Sequence, residues 1–112
     1  MTLEEQVKAV VQALDDKKAE DVRTYDVRGI SGRCDALVGA TGTAAPHLKG
    51  LAAGVREAMR ALGMDAFRMS GDPESGWIVV DYIDVVVHVF SPEARAYYAL
   101  EKIWQDVPAL QV

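Results

Sequence analysis

The stretch that decides the fold reads WIVVDYIDVVVHVF and covers residues 77–90. Its two halves, residues 77–82 and 85–90, are rich in the β-branched and aromatic side chains that favour strands. Only Ile83 and Asp84 separate the halves, so the pattern predicts a β-hairpin. The strands of a hairpin must be antiparallel, whereas strands joined through a helix can lie parallel, so helices elsewhere in the chain decide the kind of sheet.

Three segments carry apolar residues at helical spacing. The first begins after Thr2, which can cap a helix, and Glu5 completes the S/T-x-x-E box. The second begins at Pro46 and is closed by Gly63, and the third opens with Ser91-Pro92-Glu93. The predicted helices cover residues 3 to about 17, 46–62 and 91–104.

Strands are also predicted before the hairpin. Residues 36–40 are apolar throughout, as a strand covered on both faces requires. Residues 21–28 and 66–69 predict two more strands, and residues 70–76 form the most loop-like segment. The order α-β-β-α-β-β-β-α predicts an α/β fold with a mixed five-stranded sheet flanked by helices.

Composition excludes several classes of protein. The 112 residues are 50% hydrophobic and 26% charged, which suits one folded domain, and the single Cys34 excludes a scaffold held by internal disulfides. Twelve basic against 17 acidic residues give a net charge of −5, whose field repels nucleic-acid phosphates. The N-terminus does not resemble a signal peptide, and residues 78–90, the longest apolar run, are interrupted by charges and too short for a membrane helix. We therefore expect a cytoplasmic protein without membrane contact.

Asp81, Asp84 and His88 are the most plausible chemical cluster, because carboxylates with an imidazole can bind a metal or transfer protons. Alternation along a strand places Asp81 on the face of Trp77, with His88 on the other strand of the hairpin. We favour a structural reading, with the two acids flanking the turn.

A second candidate is Thr41-Gly42-Thr43, which precedes a helix N-terminus where an anion could bind. It lacks the lysine and paired glycines of a P-loop, so a structural turn is the better interpretation. Cys34 and His47 are interpreted as a core residue and a surface residue.

The last predicted helix points to an interface. Its helical wheel gathers a core face from Ala96, Tyr97, Leu100, Ile103 and Trp104. Tyr98 falls on the opposite, polar side with Glu101, so we expect its ring to be exposed. At the hairpin tip we expect Tyr82 and Ile83 to be exposed as well. Exposed anchors beside Asp84 and Glu101 are typical of a protein interface with an acidic rim.

Residues 77–90 and the positions that follow resemble the ribosomal silencing factor family, also called Iojap-related. The family pattern runs roughly W-x-x-x-D-x-G-D-x-x-V-H-x-F and then R-x-x-Y-x-L-E-x-x-W. The chain matches it at Trp77, Asp81, Asp84, Val87, His88, Phe90, Arg95, Tyr98, Leu100, Glu101 and Trp104. Upstream matches at Asp26-Val27, Asp35, Thr41-Gly42-Thr43 and His47 extend the similarity over about residues 3–104.

The resemblance implies a cytoplasmic bacterial or organellar protein that is not an enzyme and needs no cofactor, metal or catalytic residue. It implies a nucleotidyltransferase-like α/β fold without that catalysis, and often a homodimer. It also implies binding to the fourteenth protein of the large ribosomal subunit, so that the small subunit cannot join and translation is repressed when nutrients are scarce. Direct contact with nucleic acid should be small.

We assign contact with this partner to seven residues: Trp77, Asp81, Tyr82, Ile83, Asp84, Tyr98 and Glu101. For Trp77 and Asp81, a role in holding the fold fits equally well. Ile83 replaces the usual glycine, which predicts a different type of turn or one covered by the partner. Residues 44–46 replace a serine- and arginine-bearing stretch, and residues 107–112 lie beyond the pattern of the 1–106 domain as a frayed C-terminal tail.

Two alternatives remain. One is a nucleotidyltransferase-like, metal-dependent enzyme using Asp81 and Asp84, which needs Asp26 or Asp35 as a further ligand. The other is a dimeric scaffold unrelated to ribosomes.

Overall fold

The computed structural model describes residues 1–30, 32–98, 102 and 107–110. The predicted order of elements is confirmed. The helices are α1 (Leu3–Asp16), α2 (Ala45–Ala61) and α3 (Pro92–Tyr98). The strands are β1 (Glu20–Asp26), β2 (Ala36–Thr41), β3 (Arg68–Asp72), β4 (Trp77–Asp81) and β5 (Val85–Phe90), and a 3₁₀ turn, Pro73–Ser75, precedes β4.

The five strands form one mixed sheet in the order β1-β2-β5-β4-β3, which confirms the predicted fold class. Strands β2 and β5 are parallel, and the other three pairs are antiparallel. Residues 36–40 of β2 are buried, as their apolar character predicted, and the polar Thr41 that ends the strand is buried too. The hairpin of β4 and β5 therefore lies near the centre of the sheet and carries its middle strand.

Helices α1 and α2 pack side by side on one face of the sheet. The predicted capping box is present: Thr2 Oγ1 accepts from the Glu5 amide, and Glu5 Oε1 accepts from the Thr2 amide, both at 3.1 Å. The helices bury Val7, Val10, Leu14, Leu48, Leu51, Val55 and Met59 against the strands. Leu62 is the C-cap residue of α2 and is 47% exposed. None of the helices in the described residues is long and apolar enough to span a membrane.

Strand β3 runs over Arg68–Asp72 instead of residues 66–69, so part of the expected loop is sheet. Gly71 has a φ of +89°, and a Cβ at this position would collide with the Trp77 carbonyl oxygen on β4. The glycine thus permits close pairing of two strands. Its neighbours Ser70 and Asp72 made the same segment look like a turn.

Helix α3 begins as predicted, with Ser91 Oγ accepting from the Ala94 amide at 3.1 Å, but its buried face is not the one expected. Tyr97, placed in the core by the helical wheel, is 83% exposed, and Ala96 is exposed too. Arg95 Nη1 donates to the Asp21 carbonyl at 2.9 Å and to Thr41 Oγ1 at 2.6 Å. These bonds orient the helix, and hydrophobic periodicity does not detect them. Leu100, Ile103 and Trp104 lie outside the described residues.

The C-terminal residues 107–110 lie along β1. The Asp26 amide donates to the Pro108 carbonyl and Thr24 Oγ1 donates to the Leu110 carbonyl, both at 2.9 Å, and Leu110 is buried. Residues 108 and 110 therefore differ from the frayed tail that was expected. The division at residue 106 stays a prediction.

Candidate partner-binding surface

The sheet face opposite α1 and α2 forms the candidate surface. Register pairs Trp77 with Phe90, Val79 with His88 and Asp81 with Val86, so these side chains share one face. We call the half-buried part of this surface, together with the adjacent Leu37, the open face; it comprises Leu37, Trp77, Val79, Asp81, Val86 and His88. A concavity of about 700 Å³ lies over it.

The floor of the open face is aromatic. The Trp77 ring centroid lies 5.9 Å from that of His88 and 5.6 Å from that of Phe90, and His88 and Phe90 stack at 5.8 Å. Trp77 Nε1 donates to His88 Nδ1 at 3.1 Å. Because an indole N–H can only donate, Nδ1 must accept, and the neutral imidazole carries its proton on Nε2. Trp77 thus both holds the fold and contributes to the surface.

Tyr82 corrects the sequence-based expectation. Its side chain is 5% exposed and belongs to the core beneath α2, because it continues the inward alternation of Ile78 and Val80. Its hydroxyl has no hydrogen-bond partner among the described residues, and burial raises the pKa of this phenol. Tyr82 therefore supports the hairpin corner from inside and does not offer the outward anchor we expected.

Ile83 is exposed as predicted, with 55% of its surface accessible. The Asp84 amide donates to the Tyr82 carbonyl at 2.9 Å, which closes a three-residue γ-turn centred on Ile83. The φ of Ile83 is +73°, the value of the rarer and strained form of this turn. Ile83 thus adopts the left-handed backbone conformation that usually favours glycine.

Both hairpin acids build this corner. Asp81 Oδ1 accepts from the Ile83 amide at 2.7 Å. The Asp84 carbonyl accepts from the amides of Asp35 and Ala36 at 2.8 and 3.0 Å, which ties the turn to the start of β2. The carboxylate of Asp84 is exposed. The side chain of Tyr98 and the whole of Glu101 lie outside the described part of the chain.

The carboxylates do not assemble as the enzyme alternative needs. Asp26 Oδ2 pairs with Arg28 Nη2 at 2.7 Å, and the hydrogen bonds of Arg28 lower the pKa of this carboxyl. Asp81 is engaged in the turn. Within residues 1–30, 32–98, 102 and 107–110, no group of three or more His, Cys, Asp or Glu side chains is arranged to hold a metal ion.

The Thr41-Gly42-Thr43 segment has a structural role. A Cβ on Gly42 would lie 2.8 Å from Leu48 Cδ2, so the glycine allows α2 to approach the sheet closely. His47 Nδ1 accepts from the Thr43 amide at 2.9 Å, and its Nε2 lies 2.8 Å from the Lys17 carbonyl oxygen. His47 therefore joins the start of α2 to the end of α1, a role that the sequence did not reveal.

Three residues at the margin of the open face were missed: Arg33, Phe67 and Arg68. Phe67 is 62% exposed, and the guanidinium carbon of Arg68 lies 5.5 Å from its ring centroid. The Phe67 amide donates to the Asp81 carbonyl at 2.8 Å, beside the hairpin corner. A phenylalanine directly before Arg68 at a strand end was the available signal, but its nearness to Ile83 depends on the pairing of β3 with β4.

Comparison with known proteins agrees with this architecture. The family model described as ribosomal silencing factor during starvation matches residues 1–112. A ribosomal silencing factor of Halalkalibacterium halodurans is 35% identical over 112 residues, 100% of this chain and 96% of that protein. One of Bacillus subtilis is 37% identical over 102 residues, 91% of this chain and 86% of that protein.

A crystal structure of a Chromobacterium violaceum protein superposes with a TM-score of 0.90 at 32% identity, over 94% of this chain and 88% of that one. The match to the family over every residue, with relatives of similar length and a shared fold, leads to one assignment. The chain belongs to the ribosomal silencing factor family.

Proposed function

We propose that this chain binds the large ribosomal subunit through its fourteenth protein and sterically blocks joining with the small subunit. Translation is thereby repressed under nutrient limitation. Membership of the silencing factor family supports the ribosome as the target. The single observation that carries the contact surface is the exposed hairpin corner, where an outward aliphatic side chain stands next to an exposed carboxylate.

The proposed contact set centres on Ile83 and Asp84, with Trp77 and Asp81 contributing from the open face. Phe67 extends its apolar part. Tyr98 and Glu101 stay in the set as predictions, and Tyr82 acts only by supporting the corner from the core. An interface of ordinary size buries about 800 Å² on each partner, enough for a few central anchors within a polar rim.

Charge supports a protein partner over ribosomal RNA. A net charge of −5 repels phosphate groups and attracts a basic ribosomal protein. Such complementarity raises the association rate and fixes the orientation of the complex more than it raises affinity. The acidic corner thus guides the encounter with the partner, and the apolar side chains hold the complex together once it has formed.

The proposed mechanism requires bulk and no chemical step. The body measures 33 × 32 × 22 Å, so a copy docked at the subunit interface fills space that the incoming subunit needs. The proposal includes a cytoplasmic location, little direct nucleic-acid contact, no enzymatic activity and a homodimer as the form in solution. Light scattering of the purified chain checks the homodimer.

Sedimentation tests the function. Purified chain is mixed with large subunits, small subunits are added, and the products are separated on a sucrose gradient. We expect the chain to co-sediment with large subunits and the fraction of joined ribosomes to fall as its concentration rises. Unaltered joining at saturating protein would refute occlusion. Co-sedimentation with small subunits alone would refute the proposed partner.

A further inference from the structure

The γ-turn at Ile83 holds a β-branched residue in a conformation that destabilises the fold. A φ of +73° brings Cβ close to backbone atoms, and a β-branched side chain tolerates this region worst. Glycine would occupy the same turn without that cost. The folded chain would therefore be more stable without the side chain of Ile83.

The surroundings hold the turn in place despite this strain. The Asp81 carboxylate binds the Ile83 amide, and the Asp84 carbonyl accepts two amides from the start of β2. On one side of the turn the buried ring of Tyr82 fixes the chain. Strained residues persist only where neighbouring contacts determine them, and such residues concentrate at functional sites.

Within the folded chain, packing of the Ile83 side chain offsets this cost only in part. The side chain is 55% exposed and borders the concavity of the open face together with Phe67. The exposed carboxylate of Asp84 follows it directly in the sequence. The corner thus presents an aliphatic side chain on a backbone held by hydrogen bonds, beside a negative charge.

We propose that Ile83 is a preorganised anchor for the partner. Its strained turn lowers the stability of the folded chain but holds the anchor in the position that binding requires. The complementary site is an apolar depression on a basic protein surface, with a cationic side chain placed to meet Asp84. Because the turn already fixes the backbone, little conformational entropy is lost on binding. This inference rests on the proposed function and specifies how the same surface recognises its partner.

The test compares three variants of the full chain with wild type: Ile83→Gly, Ile83→Asn and the control Leu62→Gly. Asparagine accepts a positive φ better than isoleucine but is polar, so it separates loss of apolar contact from a gain in backbone flexibility. Leu62 is similarly exposed but lies at the end of α2. Affinity for purified large subunits and the thermal unfolding midpoint are measured for each.

We expect Ile83→Gly and Ile83→Asn to weaken large-subunit binding about tenfold or more, as anchor truncations do. We expect Ile83→Gly to raise the unfolding midpoint by a few degrees, because the strain is relieved. The control should bind as wild type does. Wild-type affinity in either Ile83 variant, or a lower midpoint for Ile83→Gly, would overturn the inference alone, whereas a wild-type chain that fails to bind would overturn the proposed function as well.

Discussion

The indole of Trp77 and the imidazole of His88 are joined across β4 and β5 by a hydrogen bond of 3.1 Å. The two residues sit diagonally on the open face, since Trp77 pairs in register with Phe90 and His88 pairs with Val79. The bond fixes which nitrogen of His88 carries the proton and also fixes the orientation of the tryptophan ring. One contact therefore determines the shape of the aromatic floor.

A double-mutant cycle with Trp77→Phe and His88→Phe should reveal this coupling. The hydrogen bond is half-buried, so its loss should leave an interaction free energy of about 0.5–1.5 kcal/mol between the two sites. Urea unfolding of the wild type, both single variants and the double variant gives the four free energies. Strictly additive effects would contradict a direct interaction between these side chains.

Replacing Tyr82 by phenylalanine should leave the fold as stable or raise its free energy of unfolding by about 1 kcal/mol. The buried hydroxyl lacks a hydrogen-bond partner among the described residues, so removing it eliminates a desolvation penalty. Tyr82→Ala should instead destabilise by about 3–5 kcal/mol, because it empties a core site. Urea unfolding measures both effects, and Tyr97→Ala, at the exposed position, should cost much less.

The same burial predicts a loss of stability in alkali. Tyr82 has a pKa raised in the folded state above its ordinary value of 10.0, so the folded chain keeps this proton to higher pH than the unfolded chain. Relative to the ionised phenol, the proton on Tyr82 adds to the free energy of unfolding. This contribution is complete below about pH 10 and is lost as the pH rises through the folded-state pKa. Between pH 9.5 and 11, wild type should lose unfolding free energy more steeply than Tyr82→Phe.

Tyr97→Phe provides the matched control, because it removes a phenol from the surface. If Tyr82→Phe and wild type show the same slope, the phenol of Tyr82 is not buried in the folded chain.

Local patterns predicted the elements of this fold but not how they meet. The capping box of α1, the apolar run of β2 and the short spacing within the hairpin each act over a few residues, and each prediction holds. Gly71 was misread because a glycine in a turn and a glycine beside the backbone of a paired strand look alike in sequence. Its role depends on Trp77 in the next strand.

The candidate site shows the same division. Exposure of Ile83 followed from its place at the hairpin tip, whereas Tyr82 at the adjacent position turns into the core, which only the strand's alternation and the position of α2 decide. Phe67 joins the surface through sheet pairing, and Tyr97 is exposed because Arg95 orients α3 by hydrogen bonds. Contacts across the sheet thus determine the surface, and a single sequence does not encode them as a repeating pattern.

Reversing the charge at Asp84 should slow association with the large subunit. Among the described residues, the hydrogen bonds by which Asp84 holds the turn come from its backbone atoms, so Asp84→Lys keeps the corner while replacing its exposed carboxylate by a cation. If the corner meets a basic partner, the association rate constant at low salt should fall several-fold, and its dependence on ionic strength should weaken. Glu57→Lys makes the same change in net charge at an exposed position of α2, away from the open face. Stopped-flow measurements at several salt concentrations compare the two: a larger effect at Asp84 supports a corner-specific encounter, whereas equal slowing would show that only total charge matters and would remove Asp84 from the interface.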